Sequence, residues 1–238
     1  MVGGVHGQGR NFRDDHAGKF RCHVFRNPEA YRELYTITPD KNPRWAAVYA
    51  PEGYYCPDSK SAVEKAMSFL PDSAVVSWGG SMTLSECGMM EALNGSGLTL
   101  IDRSKAATPE ETKAMYHQAL CSDYYFMSSN AITLDGKLVN VDGTGNRVAA
   151  LTYGPDHVIL LAGMNKVAKD EAAALERIHT SAAPPNAMRL NMKTPCGLTG
   201  VCSDCTAKEC ICSQTLIIRY NRFKGRIKVI LIGENLGY

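Results

Sequence analysis

The sequence lacks most of the features that would assign it at sight. It has no long hydrophobic run: the longest apolar stretch, residues 158–164, falls far short of the roughly 18–20 residues that cross a bilayer. It has no charge surplus, with 26 Lys and Arg against 24 Asp and Glu and a net charge of +2, so no global field draws it to nucleic acid or to an anionic membrane. Charged residues make up only 21%, but the 45% apolar fraction is ordinary, which excludes a largely disordered chain. No HExxH, GxSxG or Ser-His-Asp order is present, so hydrolase chemistry has no support. Neither a P-loop nor a dinucleotide-binding fingerprint occurs. The six histidines show no paired spacing. The first residues lack the apolar core of a secretory signal, and the expected location is cytoplasmic.

Cysteine is abundant instead. Four of the nine, Cys22, Cys56, Cys87 and Cys121, are scattered singly, as small buried hydrophobes are. The other five, Cys196, Cys202, Cys205, Cys210 and Cys212, fall within seventeen positions. Disulfides are not expected in a reducing compartment. Thiolates held this close repel one another unless a cation neutralises them or they oxidise. Cys202-Ser-Asp-Cys205 has the spacing with which two thiolates grip one metal. The set is compatible with a zinc knuckle, with an iron–sulfur cluster, or with reduced thiols in a loop. Asp204 inside the pair disfavours thiolate charge.

The chain divides near Pro51. Residues 1–50 hold five glycines in the first eighteen positions, and only residues 28–35 hint at a helical turn. From Cys56 onward the pattern is regular. A helix opens at residues 58–61 with apolar positions at Ala62, Ala66 and Leu70. A buried strand follows at 74–78, a helix at 84–93 and a strand at 98–101. Thr108-Pro109-Glu110-Glu111 is a strong helix start, combining a cap, a proline at the first helical position and a glutamate three residues on. Strands at 124–127 and 157–161 follow, with Asp135-Gly136 marking a hairpin between them. A helix at 170–179 is expected to end at Pro184-Pro185, and the segments 215–220 and 226–232 to form a hairpin. Alternating strands and helices predict an α/β fold with a mainly parallel sheet.

In such sheets ligands sit at the carboxyl ends of the strands. Two glycine-rich turns are expected there. Gly79, Gly80, Ser81 and Thr83 lie between a strand and a helix, where backbone N–H groups and hydroxyls can receive an anion, or where Ser81 or Thr83 caps the helix. Asp142, Gly143, Gly145, Asn146 and Arg147 form the second turn. Arg147 either clamps a carboxylate or phosphate with its planar fork or pairs with a nearby acid. Asn130, at a strand end, either donates to a substrate oxygen or caps its loop. Glu86 and Asp142 lie near the site, but no acid–base pair stands out and no catalytic residue is assigned.

From Cys56 to the last residue the chain resembles the LUD family, the lactate-utilisation domain, and in particular its short single-domain members. The resemblance rests on residues 79–86, Asp102-Arg103, 129–133, 138–149, Gly163-Met-Asn-Lys166, 183–186, 194–205 and 231–237. It implies a NagB/RpiA/CoA-transferase-like α/β fold with a cysteine-rich insertion and a C-terminal β-hairpin, spanning 51–238. It also implies a link to oxidation of L-lactate to pyruvate beside iron–sulfur partner proteins, with an anionic small molecule bound at the strand ends. Cys196, Cys202, Cys205 and Cys212 match the family pattern, as ligands of an iron–sulfur cluster or zinc; Cys210 stands outside it. The alternative function is a non-catalytic electron-transfer or assembly partner. Members open with an amphipathic helix; residues 1–50 fit neither that helix nor a targeting peptide, and an unrelated leader or an upstream frameshift is expected. A basic run (Arg219, Arg222, Lys224, Arg226 and Lys228) is the one hint of nucleic acid, and thin aromatic interleaving argues against it.

Overall fold

The computed structural model describes residues 53–238. The helical turn expected at 28–35 and the atypical segment 1–50 lie outside the described residues. Among the described residues no helix is long and apolar enough to cross a membrane.

The chain runs β1 (Gly53–Cys56), α1 (Ser59–Met67), β2 (Val75–Trp78), α2 (Met82–Glu86), α3 (Met89–Asn94), β3 (Thr99–Ile101), α4 (Pro109–Ala119), β4 (Tyr124–Met127), β5 (Ala131–Thr133), β6 (Leu138–Asp142), α5 (Asn146–Thr152) and β7 (His157–Gly163). It continues through β8 (Val167–Ala168), α6 (Glu171–Arg177), α7 (Ala183–Arg189), α8 (Pro195–Thr199), β9 (Gln214–Ile218) and β10 (Ile227–Ile232). The main sheet has six strands in the order β1-β10-β7-β4-β2-β3, all paired in parallel. A second sheet of four strands, β8-β5-β6-β9, is mixed. The fold class expected from the alternating pattern is therefore the one observed.

The pleat of β7 explains the layering. Val158, Leu160 and Ala162 point to one face and join Tyr125, Val229 and Leu231. Ile159 and Leu161 point to the other and join Val76, Phe126 and Ile230. A strand buried on both sides reads as an unbroken apolar run, as this one does. Helices α1, α2 and α3 cover the second face through Ala62, Ala66, Leu84, Met89 and Leu93. On the first face Ile132 and Leu138 of the small sheet pack against the large one. The far side of the small sheet, with Ala131, Val139 and Val141, is covered by Ala174, Ile178 and Ala183 of the α6–α7 region. The result is four layers: helices, sheet, sheet, helices.

Local chemistry sets the helix ends. Asp58 caps α1 by accepting from Ser61 N at 2.8 Å, and Thr108 caps α4 by accepting from Glu111 N at 3.1 Å. Three expectations are corrected. The helix expected over 84–93 is two short helices, because Gly88 between them takes a left-handed φ of +83° and turns the chain. Pro184 and Pro185 do not end the helical run. A π-turn over Ile178–Ala182 precedes them, and they occupy the first turn of α7, where a missing N–H costs no helical bond. The C-terminal β-hairpin does not form. β9 pairs antiparallel with β6 in the small sheet, whereas β10 lies between β1 and β7 in the large one. Arg226 accordingly belongs to no basic stripe. Its guanidinium donates to the carbonyls of Ala150, Leu151 and Pro155, satisfying carbonyls at the C-terminal end of α5.

Candidate functional site

The strand order reverses between β2 and β4. The chain leaves β2 toward β3, then crosses back to β4 and continues toward β7. Loops diverging at such a point open a crevice at the carboxyl ends of the strands. A cavity of about 330 Å³ lies there. It is walled by Gly80, Ser81 and Met82 after β2, Arg103 after β3, residues Ser128, Ser129 and Asn130 after β4, and Lys166 after β7. The small sheet and α5 contribute Val141, Asp142, Gly143, Thr144, Asn146 and Arg147, and α7 contributes Asn186 and Arg189. The three segments expected to share one edge thus meet in one cavity. Of the residues singled out from the sequence, Gly79, Thr83 and Gly145 stand outside its lining.

Within this wall, several polar groups are already committed to one another. Asp142 is buried, and its carboxylate accepts from the backbone N–H groups of Thr144, Gly145, Arg147 and Val148 at 3.0–3.3 Å. A carboxylate at the start of α5 complements the free N–H groups of that helix end. Arg147 Nη1 donates to Ser128 O at 3.1 Å and to Asn140 Oδ1 at 2.6 Å. Its Nη2 donates to Asn130 Oδ1 at 2.8 Å and to Val141 O at 2.5 Å. Burial lowers the Arg147 pKa, opposed by the charge of Asp142 3.8 Å away. Asn130 Oδ1 also accepts from Val141 N at 3.0 Å. Arg147 therefore pins β4, β6 and α5 together. A Cβ on Gly79 would come within 3.2 Å of the Arg147 Cδ and 3.3 Å of the Tyr125 hydroxyl, so the glycine makes room for this side chain. Ser81 caps α2 weakly, accepting from Leu84 N at 3.4 Å.

Other groups retain free valence. The Arg103 guanidinium lies over the Tyr116 ring at 5.4 Å and makes no hydrogen bond to any described residue. Lys166 is 4% exposed, and its Nζ lies 2.8 Å from Thr83 Oγ1 and 3.0 Å from Ser128 Oγ. Burial first, then the charges of Arg177 and Arg147, pulls its pKa down to about 7, against an opposing pull from Glu86. Arg177, itself lowered by burial to about 10, donates to Asn165 O and Asn130 O behind the lysine. Tyr125 is pushed by burial up to about 12, so it is a neutral phenol. Asp142 is the sole side-chain carboxylate of the lining, which contains four basic side chains: Arg103, Arg147, Lys166 and Arg189. Sequence reasoning did not place Arg103 and Lys166 in the site. The signal that could have found them is a basic residue within three positions of a strand's carboxyl end, Arg103 two after β3 and Lys166 three after the buried β7.

The cysteine segment forms a second, smaller cavity of about 50 Å³. All five clustered cysteines line it, with His179 from the π-turn. His179 Nδ1 lies 3.2 Å from Cys202 Sγ, and Cys210 Sγ 3.3 Å from Cys212 Sγ. Cys196 is buried at the start of α8, and Asp204, at φ +50°, turns its N–H to Cys202 Sγ at 3.4 Å. The Cys212 thiol is pushed up to about 12 by burial and by the nearby sulfurs of Cys210, Cys202 and Cys196. The donors suit a thiophilic ion in kind and share one void. Among the described residues, however, no group of three or more His, Cys, Asp or Glu is arranged so that it could hold a metal ion. The two cavities share a wall at Ile211. A Cβ on Gly143 would lie 2.8 Å from Ile211 Cα and 2.9 Å from Cys210 O, so only glycine lets the cysteine loop approach this closely.

A solved structure described as a DUF162 family protein from Deinococcus radiodurans is similar over 87% of this chain and 98% of its own, at 10% identity and a TM-score of 0.47. The structure of eIF2B delta from Chaetomium thermophilum is similar over 50% of each chain, at 16% identity and a TM-score of 0.33. No curated protein matches. The LUD domain family model matches residues 49–232, most of the sequence, and the protein belongs to the LUD domain family.

Proposed function

We propose that the protein serves lactate utilisation, the oxidation of L-lactate to pyruvate, by binding a small anionic metabolite in the cavity at the strand ends. The observation that carries this is the charge of the wall. The one side-chain carboxylate among the lining residues, Asp142, is held by four backbone N–H groups, while the Arg103 guanidinium is left without a hydrogen-bond partner among the described residues. A guanidinium free beside a polar cavity is suited to grip a carboxylate or phosphate in a bidentate pair. Arg147, with both terminal nitrogens engaged internally, shapes this wall rather than reaching into it. The link to lactate rests on family membership.

Calorimetric titration with L-lactate, pyruvate and phosphorylated sugars tests the reading. At least one anion is expected to bind, and Arg103→Ala to weaken it by about tenfold or more, the cost of one charge-assisted contact. An unchanged affinity in that variant, or silence from every anion, refutes it.

A second reading has its own observation: five thiols and His179 around one void. It holds that Cys196, Cys202, Cys205 and Cys212 ligate zinc or an iron–sulfur cluster, so that the protein works as an electron-transfer or assembly partner of iron–sulfur lactate-oxidation proteins. Such a cation would relieve the mutual repulsion of the sulfurs. Metal, sulfide and visible absorption measured on anaerobically purified protein decide it. Metal-free protein with freely titrating thiols rejects it.

A further inference from the structure

We propose that Lys166 is the reacting group of the cavity, its amine condensing with the carbonyl carbon of a small anionic 2-oxo carboxylate or aldehyde to form an imine. This deepens the anion-binding reading above and rests on it.

The hydrogen bonds around the nitrogen carry the argument. The hydroxyl of Thr83 donates to Leu236 O at 3.2 Å, and that of Ser128 leans toward Ser129 O at 3.4 Å. With their protons spent on carbonyls, both oxygens accept from Lys166 Nζ. An ammonium carries three protons and needs three acceptors; a neutral amine carries two and a lone pair. Two acceptors match the neutral form. The fourth position around Nζ has no partner among the described residues, and the side chain lines the cavity. In the neutral form that position is the lone pair. Burial and the facing guanidinium groups of Arg177 and Arg147 favour this form, and Glu86 alone opposes them. A desolvated lysine beside other cations is the arrangement that activates an amine toward carbonyl compounds. Arg103, which lines the same cavity, supplies the counter-charge for the carboxylate or phosphate of the same molecule.

The step balances without a co-reactant. The Nζ lone pair adds to the carbonyl carbon, the C=O π pair moves to oxygen, and that oxygen takes up a proton to give a carbinolamine. The nitrogen then forms a double bond to carbon as the hydroxyl departs as water; the two protons the oxygen gains in these steps are the two the amine nitrogen loses. No oxidant or reductant takes part.

The test uses the full chain with pyruvate and, separately, glyceraldehyde 3-phosphate, each followed by borohydride to fix any imine as a secondary amine, then peptide mapping by mass. The expected result is an adduct at Lys166 at least about tenfold above any other lysine, suppressed by L-lactate, which offers the carboxylate without the carbonyl, and absent in Lys166→Arg. Binding by calorimetry with no adduct at Lys166, or adducts spread evenly over surface lysines, overturns the inference and leaves the anion-binding reading standing. If neither probe binds and neither is trapped, the imine inference falls, and the anion-binding reading is decided separately by the titrations with L-lactate and phosphorylated sugars.

Discussion

Replacing Arg147 with alanine tests whether this residue is framework or ligand clamp, because the two roles predict opposite changes in the ligand-free protein. A clamp reserved for an anion leaves a cation near Lys166 and Arg177, and its removal relieves repulsion, so stability stays level or rises. A framework arginine leaves acceptors stranded. Here the side chain serves Ser128 O, Asn140 Oδ1, Asn130 Oδ1 and Val141 O, all within 3.1 Å. A buried acceptor deprived of its donor costs about 1–3 kcal/mol. Asn130 Oδ1 keeps the N–H of Val141 and Asn140 Oδ1 that of Asn130, so the loss falls on two carbonyls, Ser128 O and Val141 O, at about 1.5 kcal/mol each, roughly 3 kcal/mol together. Against a typical total of about 5–15 kcal/mol this is a large loss. With a urea slope of about 2 kcal/mol per molar, the midpoint should fall by roughly 1.5 M. Arg147→Lys, which restores a donor but not the planar fork, should recover about half. A midpoint for the alanine variant within about 0.3 M of the parent, without ligand, refutes the framework role.

Two further outcomes are expected. Lys166 titrates near 7 when folded and near 10.4 when unfolded, so between those values only the unfolded chain holds the extra proton. Stability must therefore rise with pH across that window, by at most about 1.4 kcal/mol per unit, and this group's contribution is level below it, where both states carry the proton. Urea midpoints at pH 7 and pH 9, in reductant, should show a shallower rise in Lys166→Met than in the parent; equal slopes exclude the buried, depressed amine. Gly143→Ala should lower the melting temperature by about 5 °C, because the added methyl meets backbone at Ile211 and Cys210 that no rotamer change can clear. A melting temperature matching the parent would show that the cysteine loop yields freely.

Much of the fold is legible because its determinants are short-range. The caps at Asp58 and Thr108, the turn at Asp135-Gly136 and the apolar run of β7 each depend on a few neighbouring residues, and each forms as read. The failures have a common origin. The segments 214–218 and 227–232 carry sound strand patterns, but the hairpin inferred from their proximity ignores partners far away in the chain. Strand partners are chosen by burial on both faces, and that information is not local. The double proline misleads for a related reason: it can stop a helix or begin one, and the preceding π-turn decides which.

The candidate site divides the same way. Turn chemistry and strand order are enough to bring residues 79–83, 128–130 and 142–147 to one edge. Spacing could not tell which polar groups there would spend their bonds inward. Asp142 and Arg147 look like ligand-binding groups in the sequence, yet their hydrogen bonds hold the wall together. Arg103 and Lys166, read as members of family blocks, face the cavity with valence to spare. The scarcity that marks the composition, no charge surplus and no familiar catalytic signature, is a property of the whole chain. Local composition is another matter: a chain nearly neutral overall gathers four basic side chains around one cavity, because the loops and helices that carry them are separate in sequence and adjacent in the fold. Periodicity and caps act over a few residues and can be read along the chain. Whether a buried polar group meets a partner or is left for a ligand depends on distant contacts, which only the folded arrangement of the two sheets supplies.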